Sequence, residues 1–303
     1  MTQQENIKEL PYGVSDFLTV ANENLYFVDK SMYIPKLEKE GRNLFFIRPR
    51  RFGKSIFVSM LHAYYDCKTT PEQFQKWFGG LWIGQHPTPL QGKFMVLHLD
   101  FSQVGGTIDN MEKNFDEYCG AKFDYFVDYY NNVYSEDFIK KVHDAKDANM
   151  KLTLINLETD RQRLSLYLII DEYDNFTNTI LNEKGEEVYH AITHANGFYR
   201  DVFKKFKGNF ARIFMTGVSP VTLDDVTSGF NIGWHISTKR AFNQMLGFSE
   251  DDVRNLIQYL KREGELPEEC DTERMIKDMK PWYDNYCFSE SALTTQSKVF
   301  NCD

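Results

Sequence analysis

Leu44-Phe45-Phe46-Ile47-Arg48-Pro49-Arg50-Arg51-Phe52-Gly53-Lys54-Ser55 is the stretch on which the reading of this chain turns. Four consecutive apolar residues stop at Arg48-Pro49, and beyond Ser55 the residues Ile56, Phe57, Met60, Leu61 and Tyr64 recur at the spacing of one helix face. The stretch therefore reads as strand, loop, helix. At such a junction unpaired backbone N–H groups and the helix dipole converge on one spot, the arrangement that holds a phosphate. In the pattern G-x-x-x-x-G-K-[ST] the lysine reaches the β- and γ-phosphates and the hydroxyl ligates Mg2+, roles that fall on Lys54 and Ser55. The first position departs from the pattern, because Arg48 stands where it has glycine and Pro49 donates no N–H. A cradle here is expected from the amides of Arg50, Arg51, Phe52, Gly53, Lys54 and Ser55, with Ile56 in the first helical turn.

Three further apolar runs, Phe94 to Leu99, Leu166 to Ile170 and Ala211 to Met215, alternate with helical stretches, which predicts a parallel sheet covered on both faces. The third of these four strands ends in Asp171-Glu172. One carboxylate there would hold a Mg2+ shell and the next would orient the attacking water, as phosphoryl transfer requires. Any strand must also exit into water, so the pair alone fits a plain polar loop equally well. Joined with Lys54 and Ser55 it predicts nucleotide binding. The last strand ends in Met215-Thr216-Gly217, where the Thr216 hydroxyl is either a γ-phosphate sensor or an ordinary strand residue. Arg48, Arg50, Arg51, Arg212 and Arg240 are candidates to neutralise charge on a transferred phosphoryl group.

Composition narrows the partners. With 44 acidic against 35 basic residues and a formal charge of -9, a whole-surface basic footprint for nucleic acid or anionic lipid is excluded. Residues 1–60 nevertheless carry nine basic and seven acidic side chains, a net +2 around the loop. Five scattered cysteines without a C-x-x-C pair predict neither a disulfide framework nor a zinc site, and point to a reducing cytoplasm. No export signal or membrane span is expected. Between residues 107 and 150, acidic residues interleave with Phe115, Tyr118, Phe126 and Tyr129 at helical spacing, an amphipathic helix with an acidic, solvated face. Ser249 and Asp252 form a capping box ahead of the stripe Val253, Leu256, Ile257 and Leu260, so a small helical subdomain is expected from about residue 240.

The loop Arg48 to Ser55, together with Tyr12-Gly13-Val14-Ser15-Asp16-Phe17, Phe27-Val28-Asp29-Lys30, Ile170-Asp171-Glu172-Tyr173-Asp174, Phe214 to Ser219, Leu246-Gly247-Phe248 and Trp282-Tyr283-Asp284-Asn285-Tyr286, resembles the bacterial AAA-ATPase-like proteins. The likeness covers nearly the whole chain, and within that family the missing first glycine is a trait. It implies an α/β fold of the AAA/ASCE type over residues 1–240, followed by a helical lid over 241–303 that is either truncated at the C-terminus or that of a naturally short member. It also implies ATP and Mg2+ as cofactors and adenine as the base. Residues 12–30 would then pack near the adenine, making Phe17 and Asp29 candidate contacts, although Phe17 reads equally as core and Asp29 as a partner of Lys30 or an arginine. Family members are often fused to a C-terminal PD-(D/E)XK nuclease-like domain, so the partners implied are such a domain or a protein effector, and a second copy of the chain. Glu186-Glu187 and Glu268-Glu269 form no nuclease constellation of their own. Two functions follow: Mg2+-dependent ATP hydrolysis, with Glu172, Lys54 and Thr216 catalytic and Ser55 and Asp171 on the metal, or a nucleotide-binding switch with little turnover.

Overall fold

The computed structural model of the chain describes residues 7–105, 110–175, 203, 206, 208–219, 234–283, 286–290 and 298–301. Glu186, Glu187, Asp284, Asn285 and Cys302 lie outside them. Its centre is a five-stranded sheet of β1 (Asn43–Ile47), β2 (Met95–Asp100), β3 (Leu166–Asp171), β4 (Arg212–Gly217) and β5 (Trp234–His235). Every pairing between these strands is parallel, and the order is β2-β3-β4-β1-β5.

The apolar runs become strands because two cores claim alternate residues. On β3, Leu166, Leu168 and Ile170 face one core while Tyr167 and Ile169 face the other, and β1 divides Phe45 from Leu44 and Phe46 in the same way. The first core is closed by α6 (Met111–Tyr129) and α8 (Ala148–Gln162), with α7 (Glu136–His143) alongside. The second is closed by α1 (Phe17–Asn22), α2 (Ile34–Glu40), α3 (Lys54–Tyr65), α4 (Pro71–Phe78) and α5 (Trp82–Gln85). Helix starts carry the caps that their sequences imply: Asp16 accepts from the Thr19 amide at 2.8 Å, and Thr70 with Gln73 forms a full capping box.

The acidic stretch resolves into two helices rather than one. Tyr130 ends α6 because its hydroxyl is drawn inward, donating to Asp66 at 2.9 Å and accepting from the Val96 amide at 2.7 Å, and Ser135 then caps α7. The acidic face of α6 is not wholly solvated either, since Asp124 accepts from the ammonium of the buried Lys151 at 2.6 Å. Past residue 249 the capping box opens α9 (Glu250–Arg262), which pairs with α10 (Thr272–Tyr283) over a small core of Val253, Ile257, Ile276 and Phe300. Lys30 donates to Asp252 at 2.6 Å and ties the segment before α2 to α9.

The strand order sets the site. From β1 the chain crosses to β2, three places away, walks back through β3 to β4, and then steps over β1 to β5. β1 therefore lies at the switch point, and in a parallel sheet the C-terminal ends there open a crevice. The loop after β1, Asp171 ending β3, Thr216 on β4 and Asp100 ending β2 all sit along that one edge.

Candidate functional site

The loop is shaped by two left-handed residues, Arg51 at φ 67° and Gly53 at φ 77°, the second being the N-cap of α3. Backbone that alternates in this way turns successive N–H groups into one concavity, which suits an anion. Glycine takes that conformation freely, whereas Arg51 bears a strain of about 1 kcal/mol. Lys54 is 6% exposed, and its ammonium donates to the Pro49 carbonyl at 3.0 Å. Burial lowers its pKa and Arg50 adds to that, while Asp171, Glu172 and Asp174 oppose it. The lysine thus stands in the field of three carboxylates.

Ser55 Oγ donates to Asp171 Oδ2 at 2.7 Å, across 116 residues of chain. Asp171 is buried at the end of β3, and burial first, then Asp100 and Glu172, push its carboxyl from 3.8 up to about 6 against the Ser55 hydrogen bond and Lys54. Asp100 is a site residue that the sequence reading passed over. It lies beside Asp171 in register, and its signal was visible: the run Phe94 to Leu99 closes on an aspartate as Leu166 to Ile170 does.

Glu172 follows in a left-handed conformation, φ 49°, with its amide donating to Asp171 Oδ1 at 3.0 Å. The next two residues are fastened to the tip of β4. The Tyr173 hydroxyl donates to the Ser219 carbonyl at 2.7 Å, and the Asp174 carboxylate accepts from the Val218 amide at 3.1 Å and the Ser219 amide at 2.5 Å. Gly217 is what lets the two strand ends come this close, because a Cβ there would overlap Asp174 Oδ1 and stand 2.5 Å from a Tyr173 ring carbon. Gly217→Ala is expected to lower stability by about 1–3 kcal/mol through that overlap, and a urea midpoint equal to that of the unchanged chain would refute it. The Thr216 hydroxyl is buried at the same tip without a hydrogen-bond partner among the described residues, a polar atom free for a ligand.

The remaining candidates divide. Arg50 and Arg51 are exposed on the loop, the position expected of phosphate contacts, and Ile56 lies half-buried in the first turn of α3. Phe52 turns its side chain fully inward. Arg48 is no phosphate ligand: it is 0% exposed, and its guanidinium donates to the carbonyls of Ile47, Ser237 and Phe242. Arg212 is also engaged elsewhere, donating to the carbonyls of Gly41 and Glu38 from the start of β4, the opposite end of that strand from Thr216. Arg240 is exposed in the segment after β5. Phe17 is 1% exposed, its ring against those of Phe27 and Phe78 at 5.6 and 5.0 Å, so it serves the core and presents no face to an adenine. Asp29 uses both carboxylate oxygens on backbone, accepting from the Ser31 amide at 2.8 Å and the Trp82 amide at 2.7 Å.

The donors fit Mg2+ as a substrate-bridged ion. Hard oxygens from one hydroxyl and one buried carboxylate suit it, and Mg2+ ordinarily takes one or two carboxylates plus phosphates rather than an all-protein cage. No group of three or more His, Cys, Asp or Glu side chains arranged to hold a metal occurs among the described residues.

A curated relative, an uncharacterized protein in vnfD 5'region from Azotobacter chroococcum mcd 1, is 22% identical over 308 residues, covering 94% of this chain and 50% of that protein. The chain therefore spans about half the length of the curated relative it matches. A family model described as Predicted AAA-ATPase matches residues 11–227, well over half of the chain. That single match takes in the loop after β1 together with the ends of β3 and β4 that face it, and the chain accordingly belongs to the predicted AAA-ATPase family.

Proposed function

We propose that the chain binds ATP with Mg2+ and hydrolyses the terminal phosphoanhydride, residues 1–240 forming the nucleotide module and 241–303 a helical lid. The observation that carries this is the Ser55–Asp171 hydrogen bond of 2.7 Å. A hydroxyl at the start of a helix and a buried carboxylate from a strand two places away are joined where each would ligate one ion. When bound, Mg2+ would neutralise charge shared between the β- and γ-phosphate oxygens. Lys54 exchanges the Pro49 carbonyl for a phosphate oxygen, and the amides of residues 50–55 hold the anion. Glu172 accepts a proton from the attacking water and orients it, from a left-handed backbone position directly after Asp171. Thr216 donates its unpartnered hydroxyl toward the γ-phosphate or the water. Arg50 and Arg51 supply positive charge at the rim.

Because the relative is about twice as long as this chain, we propose that the module controls an effector, carried on the same polypeptide or on a partner. A fused nuclease-like domain is the form that the family likeness favours. We place the protein in the cytoplasm: Cys67, Cys119, Cys270 and Cys287 are all free thiols, which suits a reducing compartment. Among the described residues no helix is long and apolar enough to cross a membrane.

Titration calorimetry with Mg·ATP tests the assignment. Micromolar binding, about -8 kcal/mol, is expected for the unchanged chain and no heat for Lys54→Ala. Glu172→Gln is expected to bind as tightly while phosphate release slows roughly 10²–10⁴-fold. Turnover unchanged in Glu172→Gln would remove the water-activating role from that residue.

A further inference from the structure

The phosphate loop is held from behind by residues that lie outside the 11–227 family match. Arg48, standing where the phosphate-loop pattern has its first glycine, donates to the carbonyls of Ile47 at 2.8 Å, Ser237 at 3.0 Å and Phe242 at 2.8 Å. Its guanidinium lies over the rings of Phe46 and Phe288, 4.2 and 3.8 Å from their centroids. Four residues on, the fully buried Phe52 stands edge-on to Tyr286 and Phe288, with centroids 4.8 and 5.6 Å away. The Phe52 carbonyl accepts from the Gly247 amide at 3.2 Å. Gly247 itself is left-handed, φ 80°, and a Cβ there would stand 2.9 Å from the Phe52 ring, 2.6 Å from Val299 Cγ1 and 2.8 Å from the Phe300 carbonyl. Between the two anchors only Pro49, Arg50 and Arg51 span the gap, and both arginines are exposed. The loop is thus a short arch whose two feet are bolted to residues 237–247 and 286–288.

We propose that Arg48 and Phe52 are positioning residues, and that residues 237–247, 286–288 and 299–300 pre-organise the phosphate cradle in place of the missing first glycine. This rests on the nucleotide-binding reading above. An arch held in its bound shape loses less entropy when phosphate arrives, so loosening either foot weakens binding even though every backbone amide assigned to the ligand is kept. The coupling is reciprocal: nucleotide that stiffens the arch also tightens the segment behind it.

Gly247→Ala is the sharpest test, because the new methyl crowds the Phe52 ring together with Val299 Cγ1 and the Phe300 carbonyl, none of which is a group assigned to the ligand. Two readouts are needed: Mg·ATP affinity by calorimetry, and amide hydrogen exchange across the chain without nucleotide. Gly247→Ala is expected to weaken Mg·ATP at least tenfold and to speed exchange selectively at residues 50–55. Phe52→Leu, which keeps an apolar plug but loses the edge-on ring contacts, is expected to do the same to a smaller extent and decides the matter if Gly247→Ala does not fold. Gly120→Ala, on α6 where an added Cβ meets nothing within 4 Å, is expected to leave both readouts unchanged. Folded variants with loop exchange and affinity equal to those of the unchanged chain would overturn the proposal. Faster exchange spread evenly over the sheet would do so too, since it marks a general loss of stability. If the unchanged chain takes up no nucleotide, the proposed function fails by itself, and loop exchange still decides whether the anchors hold the arch.

Discussion

Asp171→Asn is expected to make the protein more stable above about pH 6 while strongly slowing Mg2+-dependent nucleotide turnover. In the folded chain Asp171 keeps its proton up to about 6, whereas the unfolded chain releases it near the ordinary value of 3.8. Between those values the folded state binds the extra proton, so stability falls as pH rises through the window. The gap corresponds to about 3 kcal/mol, present in full as a penalty above the folded value. Asparagine carries no charge to desolvate, and it retains one oxygen and gains an N–H to satisfy the Ser55 hydroxyl and the Glu172 amide. Urea midpoints of the two proteins are expected to coincide near pH 4 and to separate progressively toward pH 7. Parallel curves across that range would show that Asp171 is not desolvated as described. Turnover should fall roughly 10²–10³-fold, the scale of losing one electrostatic partner of the developing charge. The carboxylate is thus held at a cost to the fold, the pattern expected of a functional group rather than a structural one.

Arg48→Ala is expected to be the most destabilising substitution in the loop. Removing the guanidinium leaves the carbonyls of Ile47, Ser237 and Phe242 without its donors inside a buried site, at about 1 kcal/mol each even at the low end. The emptied volume between Phe46 and Phe288 adds to the loss. Relief of the desolvation that lowers the arginine from 12.5 to about 9 works the other way. The net expectation is a loss of about 3 kcal/mol or more by urea unfolding at pH 7, and a loss under about 1 kcal/mol would show that water replaces the guanidinium at those carbonyls. Arg48→Lys should fall between, since an ammonium keeps the charge but lacks the planar fork that reaches two separate segments and stacks on two rings.

These two residues also show where the sequence could be read and where it could not. Asp171 was legible because its strand is buried on both faces: such strands appear as unbroken apolar runs, and the first polar residue marks the exit. The same rule pointed to Asp100, and only the absence of a familiar second residue beside it kept it from notice. Ser55 and Asp171 could be paired before any coordinates because chemistry, not proximity in the chain, demands the pair. The arginines could not be sorted. Arg48, Arg50 and Arg51 are alike as charges, and what separates a buried brace from two exposed cations is the direction each side chain takes out of a loop whose path depends on residues 237–247 and 286–288. Phe17 and Asp29 fell on the structural side for a related reason: an aromatic near a helix start and an aspartate before a turn serve cores and caps as readily as ligands. Strand β5 left no signal, being two residues, Trp234 and His235, both exposed at the sheet edge.

The strand order has a consequence for how the protein is made. Asn43 of β1 pairs with Ile213 of β4, about 170 residues later, and Arg48 finds the Phe242 carbonyl 194 residues away. A chain leaving the ribosome N-terminus first therefore exposes Phe45, Phe46 and the phosphate loop with no strand to receive them until β4 has been made. β2 and β3 can join each other much earlier, since Met95 pairs with Leu166. The first functional motif to be translated is thus among the last to be assembled, and β1 enters an already started sheet as an inserted central strand. Long-range parallel pairing of this kind is slow and leaves apolar surface open to aggregation in the meantime. A nascent chain arrested before residue 212 has Lys54 and Ser55 but lacks the strand that β1 must dock on, and this delays any encounter with nucleotide until the rest of the sheet exists.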